Sequence, residues 1–276
     1  MEHTISIRTA NGSLAGTLHY PTNNAENETA RPTRHPLVII CHGFIGNRIG
    51  VDRLFVKAAR SFSAQGYMVL RFDYEGCGES EGEYGEGGLD SLIEQTRSAL
   101  DYGLSIDCVD PSRVVLLGHS LGGAVALLTA AQDKRVKTLV LWAAVAHPLS
   151  DIVRVTGKRV YEEAKQIGRA DHSGYAFTPD FFASLSRHHP LEQTRKFTGD
   201  VLLVHGTGDE VIPVDYCFLY EKLFWLRSQG QCDKEVILQA NHTFSTIDHT
   251  DQLLERTGNW LKYIRKRNTE WLDWTI

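Results

Sequence analysis

One stretch constrains this chain more than any other: Val114-Val115-Leu116-Leu117-Gly118-His119-Ser120-Leu121-Gly122-Gly123. Four branched apolar residues run directly into Gly-x-Ser-x-Gly, and an apolar, alanine-rich segment follows, Ala124-Val125-Ala126-Leu127-Leu128. The run before Gly118 reads as a strand buried on both faces. The segment after Gly122 reads as a buried helix. Between them the backbone must reverse sharply, which brings the residues two before and two after the serine almost into contact. Both must be tiny, and Gly118 and Gly122 meet that demand. Ser120 is then held in a strained conformation, its hydroxyl pushed out of the turn and faced by the next helix N-terminus.

The five-residue pattern alone does not decide the matter, because Gly78-Glu79-Ser80-Glu81-Gly82 matches it equally well. There the preceding strand has already ended near Asp73, and no apolar helix follows. Glu79 and Glu81 would also repel a developing oxyanion. The strand-turn-helix context therefore selects Ser120 as the nucleophile.

The rest of the chain supplies a frame for that turn. Ile5, Ile7, Leu14, Leu18 and Tyr20 flank Asn11-Gly12 and predict an antiparallel hairpin at a sheet edge. Residues 21–34 read as a solvated loop. Apolar strand runs follow at 37–41, 68–72, 114–117, 137–142, 201–204 and 236–238, separated by amphipathic helical patterns and by a Gly- and Glu-rich loop over 75–88. Trp271 and Trp274 are expected to fold back onto the body. This alternation predicts an α/β fold, with a mostly parallel sheet covered by helices on both faces. It breaks over residues 147–197, which carry no strand signal and hold Tyr161, Tyr175, Phe177, Phe181 and Phe182 among charges. The expected organisation is thus a core of residues 1–146 and 198–276 with an inserted helical lid over 147–197.

A serine hydroxyl needs a base, and the base needs an orienting acid. In a parallel sheet these come from loops at the carboxyl ends of strands. Asp209 follows the strand 201–204 in His205-Gly206-Thr207-Gly208-Asp209-Glu210, with Glu210 as the neighbouring substitute and Asp215 in the next helix. His242 follows the last strand, and His249 falls inside the final helix. The order Ser120, Asp209, His242 is that of an elbow-type hydrolase. Two backbone N–H groups would hold the oxyanion, one from Leu121 and one from Phe44 after the strand 37–41. His42, Gly43 and His119 flank these groups and are expected at the substrate, together with the lid residues Tyr175, Phe177, Phe181 and Phe182. His188-His189 lacks an acidic or cysteine partner at helix spacing, so no metal site is expected.

These motifs resemble the α/β-hydrolase superfamily over nearly the whole chain. Cys41-His42-Gly43-Phe44 is similar to its oxyanion strand, and Phe72-Asp73-Tyr74-Glu75-Gly76-Cys77-Gly78-Glu79-Ser80 to its Asp-x-Arg-Gly-x-Gly-x-Ser loop, with Glu75 where arginine is usual. The lid length and the ending His242-Thr243-Phe244-Ser245 resemble the small-lidded cinnamoyl and feruloyl esterases. The resemblance implies a serine carboxylesterase for short- to medium-chain or small aryl esters, working through an acyl-enzyme without a cofactor. Rival readings are a peptidase, thioesterase or C–C bond hydrolase of the same fold, and a catalytically inactive binding protein. The formal charge of −5 comes without a basic patch, which argues against nucleic acid. No run is long enough to span a membrane. Five scattered cysteines and a start without an export signal predict a cytoplasmic protein acting on a small-molecule ester. Nothing in the sequence speaks to the oligomeric state.

Overall fold

The computed structural model describes residues 1–22 and 34–273. Most of the loop expected over 21–34, the side chain of Trp271 and all of Trp274 lie outside the described residues. The hairpin is β1 (Glu2–Arg8) and β2 (Ser13–His19), paired antiparallel. The next elements follow the predicted alternation: β3 (His35–Cys41), α1 (Leu54–Ala64), β4 (Met68–Phe72), α2 (Tyr84–Leu104), β5 (Val109–His119), α3 (Leu121–Gln132) and β6 (Val136–Trp142). Past the insertion come β9 (Asp200–Gly206), α8 (Asp215–Phe224), β10 (Cys232–Ile237) and α9 (Ile247–Asp273).

Eight strands form one sheet in the order β1-β2-β4-β3-β5-β6-β9-β10. Pairing is antiparallel from β1 through β2 to β4 and parallel from β4 onward. The long apolar runs are explained by burial on both faces. Leu37, Ile39 and Cys41 join the core on one side of the sheet, while Val38 and Ile40 join the core on the other. Helix α3 is buried all round, as an Ala-, Gly- and Leu-rich helix against the sheet must be. Register then fixes the site. Cys41 lies beside Gly118, His119 beside Trp142, and Trp142 beside Val204, so the carboxyl ends of β3, β5, β6 and β9 finish level.

The insertion holds α4 (Pro148–Thr156), α5 (Lys158–Ile167), α6 (Pro179–Arg187) and α7 (Pro190–Gln193). It also holds a short hairpin, β7 (Ala170–His172) and β8 (Tyr175–Phe177), where no strand was expected. Strands of three residues are too short for a period-two pattern to register. Helix α2 likewise begins inside the stretch read as loop, because its first turn is kinked at Gly88 (φ 55°, ψ −150°). That kink lets α2 meet the insertion backbone to backbone. A Cβ on Gly88 would lie 2.5 Å from Ser184 Oγ and 2.8 Å from the Phe181 carbonyl oxygen.

Candidate active site

The elbow has the geometry that its glycines allow. Ser120 adopts φ 57°, ψ −124°, outside the regions that L-residues favour. A Cβ on Gly118 would collide with the Gly122 carbonyl, and one on Gly122 with the carbonyls of Cys41 and His42. The strain is held by hydrogen bonds: Ser120 N–H donates to the Trp142 carbonyl at 2.9 Å, and the Ser120 carbonyl accepts from Val145 at 3.0 Å and Gly123 at 3.0 Å. Leu121 opens α3, so its N–H lies outside the helix ladder. The second Gly-x-Ser-x-Gly is built differently. Ser80 Oγ donates to the Asp73 carbonyl at 2.7 Å and accepts from Ala15 N–H at 2.8 Å, which makes it a tie between loops.

Asp209 and His242 come together from the ends of β9 and β10. Asp209 Oδ2 lies 2.8 Å from His242 Nδ1 and 3.1 Å from His205 Nε2. Its Oδ1 accepts from the N–H groups of Val211 and Ile212, both at 2.8 Å. Burial alone would raise the Asp209 pKa, but the hydrogen bonds from His205 and His242 outweigh it and hold the carboxyl well below the usual carboxylate range. A carboxylate only accepts, so Nδ1 of His242 carries the proton and Nε2 is left as a base. Glu210 is exposed, and Asp215 sits in the first turn of α8. His249 lies in the first turn of α9, outside the cavity.

His205 was not singled out from sequence. Its Nε2 also lies 3.0 Å from the Ile212 carbonyl, so its N–H is shared between that oxygen and Asp209. The available signal was a histidine at the last turn of a buried strand, four residues before the acid.

The loop after β3 carries Phe44. His42 is buried, and its Nε2 accepts from Tyr74 N–H at 3.0 Å, which leaves Nδ1–H to donate to the Gly43 carbonyl at 2.8 Å. Burial lowers the His42 pKa to about 4, so the ring is neutral. Gly43 abuts the elbow: a Cβ there would lie 3.0 Å from Ser120 Cβ. Further along, Arg48 pairs with Asp73 and Glu79, its N–H donates to Asp73 Oδ1 at 2.5 Å, and its carbonyl accepts from Arg71 Nη1 at 2.6 Å. Glu75, standing where the related loops carry arginine, instead accepts from Gln95 Nε2 at 2.9 Å. His119 Nε2–H donates to the His242 carbonyl at 2.8 Å, and burial lowers its pKa to about 3.

Ser120, His119, His242, Gly43 and Phe44 line one cavity of about 310 Å³. Its walls are mostly apolar: Val51, Leu54 and Phe55 on one side, Ile152 and Val155 from α4, and Val211 and Ile212 from the acid loop. Arg154 ties the last two walls together, donating to Asp151 Oδ1 at 3.1 Å and to the Val211 carbonyl at 2.9 Å. The lid aromatics do not reach this cavity. Phe177, Phe181 and Phe182 are buried in the core and Tyr175 is half-buried beside Tyr84. Their faces turn toward α2 and the loop after β3, because the kink at Gly88 draws α6 down onto α2. His188 does find an acid, Asp90 Oδ1 at 2.6 Å, but across the fold and not on its own helix. All five cysteines are free, and no helix among the described residues is long and apolar enough to cross a membrane.

Residues 36–171 match the family model described as alpha/beta hydrolase fold. An uncharacterized 31.7 kDa protein of Escherichia coli, from the traX-finO intergenic region, is 40% identical over 113 residues, 41% of this chain and 38% of its own length. The mitochondrial palmitoyl-protein thioesterase ABHD10 of Mus musculus is 28% identical over 186 residues, 64% of this chain and 60% of its own length. The chain thus spans less than two thirds of either relative. Among solved structures, Est1E from Butyrivibrio proteoclasticus with ferulic acid bound gives a TM-score of 0.78 at 23% identity, over 94% of this chain and 98% of that one. Strand order, elbow and these matches agree on the α/β-hydrolase fold.

Proposed function

We propose that the protein is a serine carboxylesterase that cleaves short- to medium-chain or small aryl esters through an acyl-enzyme. The observation that carries this reading is the pairing of His242 Nδ1 with a buried, ionised Asp209 at 2.8 Å, in the same cavity as the strained Ser120. His242 Nε2 takes the Ser120 proton as the hydroxyl attacks the ester carbonyl. The N–H groups of Phe44 and Leu121 hold the oxyanion, each such donor being worth about 10²–10³ in rate. His242 returns the proton to the leaving alcohol. It then activates a water, which attacks the acyl-serine and releases the acid. Asp209 stays ionised throughout and stabilises the imidazolium formed at each step.

The apolar walls favour an uncharged acyl group, since no lysine or arginine lines the cavity among the described residues. A thioester is the second reading. It uses the same machinery, and one relative carries the name palmitoyl-protein thioesterase. The test is a fluorophosphonate probe with a panel of nitrophenyl esters and acyl thioesters. Ser120→Ala is expected to abolish both labelling and turnover. Labelling that survives in Ser120→Ala defeats the reading.

A further inference from the structure

The lid aromatics cluster around one residue of the candidate site. The ring of Phe44 stacks on Phe177, with 5.4 Å between centroids and 26° between planes. It meets Tyr84 edge-on at 5.9 Å and lies 6.2 Å from Phe181. Phe177 and Phe181 are themselves fully buried and meet edge to face at 4.8 Å. Phe44 therefore belongs to two places at once, the cavity that Ser120 lines and the aromatic core under the lid.

The chain on either side of Phe44 is held by hydrogen bonds. The Gly43 carbonyl accepts from His42 Nδ1–H at 2.8 Å and from Gly46 N–H at 3.1 Å. Arg48 is fixed on Asp73 and Arg71. Between these anchors the Phe44 N–H finds no acceptor among the described residues, and Ile45 takes a left-handed φ of 42°. That N–H shares a planar peptide with the Gly43 carbonyl, so the two hydrogen bonds on that carbonyl fix one end of its plane. The packed ring holds the other end of that plane, the Phe44 side. An oxyanion donor must sit about 2.7–3.1 Å from the oxygen it stabilises, so a small tilt of this peptide matters.

We propose that Phe177 and Phe181 are positioning residues for the oxyanion donor. They grip the ring of Phe44 and aim its N–H at the oxygen of the carbonyl that Ser120 attacks, so these two lid aromatics act on turnover and not on the choice of acyl group. The inference rests on the serine-hydrolase reading above.

Three leucine substitutions separate this role from general packing. Phe177→Leu removes the stacked ring and keeps an apolar side chain. Phe44→Leu removes the gripped ring itself, at a half-buried position that tolerates the change if Phe177→Leu does not fold. Phe182→Leu makes the same change at an equally buried position, whose ring meets Phe177, Phe181 and Tyr161. With p-nitrophenyl butyrate, kcat is expected to fall about tenfold or more in Phe177→Leu and Phe44→Leu, a fraction of what losing the whole donor costs. KM and the acyl-length profile stay put, and a trifluoromethyl ketone, which mimics the tetrahedral intermediate, loses affinity by the same factor. Phe182→Leu lowers the melting temperature to a similar degree with a much smaller loss of kcat. The proposal is overturned if Phe177→Leu and Phe44→Leu keep kcat, if they change KM or the acyl-length optimum instead, or if Phe182→Leu costs as much kcat. Fluorophosphonate labelling run alongside keeps the two readings apart. Ser120-dependent labelling with unaltered kcat defeats the clamp alone, and labelling that survives Ser120→Ala defeats the serine mechanism itself.

Discussion

Replacing Asp209 by asparagine tests the candidate site at its most determined point. The carboxylate has four partners: two N–H groups on Oδ1 at 2.8 Å, and His242 and His205 on Oδ2 at 2.8 and 3.1 Å. An asparagine that keeps its oxygen on the Val211 and Ile212 N–H groups must turn its NH₂ toward two ring nitrogens that were both donating. His205 retains the Ile212 carbonyl at 3.0 Å and loses one bond. His242 has no such second partner on Nδ1. It must shift its proton to Nε2, the nitrogen proposed to take the Ser120 proton, which can then no longer act as a base. The negative charge that stabilises the imidazolium is lost as well. We expect kcat to fall by roughly 10⁴, as when a triad acid elsewhere is neutralised, or about 5 kcal/mol of barrier. The assay is steady-state hydrolysis of a nitrophenyl ester with melting temperature measured alongside, since the fold should survive. Glu210 faces solvent, so Glu210→Gln should cost less than about threefold, in keeping with exposed substitutions remote from such networks. A kcat for Asp209→Asn within tenfold of the parent, or a larger loss in Glu210→Gln, would refute the reasoning.

Three further outcomes follow from named contacts. Ser80→Ala strands the Asp73 carbonyl and the Ala15 N–H, and should lower denaturant stability by about 1–2 kcal/mol while the folded fraction still labels at Ser120; an unmoved midpoint contradicts this. Val155→Phe and Val211→Phe, which fill the aliphatic walls, should shift the kcat/KM optimum toward shorter acyl groups by about 1–3 kcal/mol per lost methylene site, whereas Phe181→Ala and Phe182→Ala should leave that profile in place; comparison across acyl lengths decides. Lastly, His42 and His119 are lowered by burial to about 4 and about 3, so below pH ~6.5 the unfolded chain binds protons that the folded one refuses. Their contribution to stability is complete above pH ~6.5 and falls away toward pH 3–4, so the melting temperature should drop steadily between pH 6.5 and 4.5, and a flat profile there counts against the neutral rings.

The elbow and the acid and histidine loops were legible because their signals are local. A buried strand ending in two glycines two residues either side of a serine leaves little freedom, and Asp209 and His242 follow strands that could be counted. The hairpin β7–β8 and the early start of α2 were not legible, since strands of three residues and a helix kinked at Gly88 leave no period to read. The lid aromatics were misjudged for a different reason. Their abundance among charges announces an apolar face but not what that face covers. The partner is Phe44, more than a hundred residues earlier in the chain, and only the close approach at Gly85 and Gly88 brings the two together. The role of His205 was hidden in the same way, because a histidine at a strand end says nothing of where its ring turns.

Three loops carry the groups of the candidate site, and a buried imidazole ties each of them. His42 holds the Gly43 carbonyl, His119 the His242 carbonyl, and His205 the Ile212 carbonyl together with Asp209. An imidazole suits this task because one flat ring can donate from one nitrogen and accept at the other, as His42 does between Gly43 and Tyr74. Neutrality matters as much as reach. The ring of His119 lies 4.8 Å from that of His242. Were His119 charged, it would oppose the imidazolium that the proposed mechanism forms on His242 by about 3 kcal/mol at an effective dielectric near 20, some two decades of rate. Burial removes that penalty by keeping the proton off His119 at any pH where His242 works as a base. The same burial that makes His119 look like ordinary core therefore lets it sit, uncharged, beside the histidine proposed as the base.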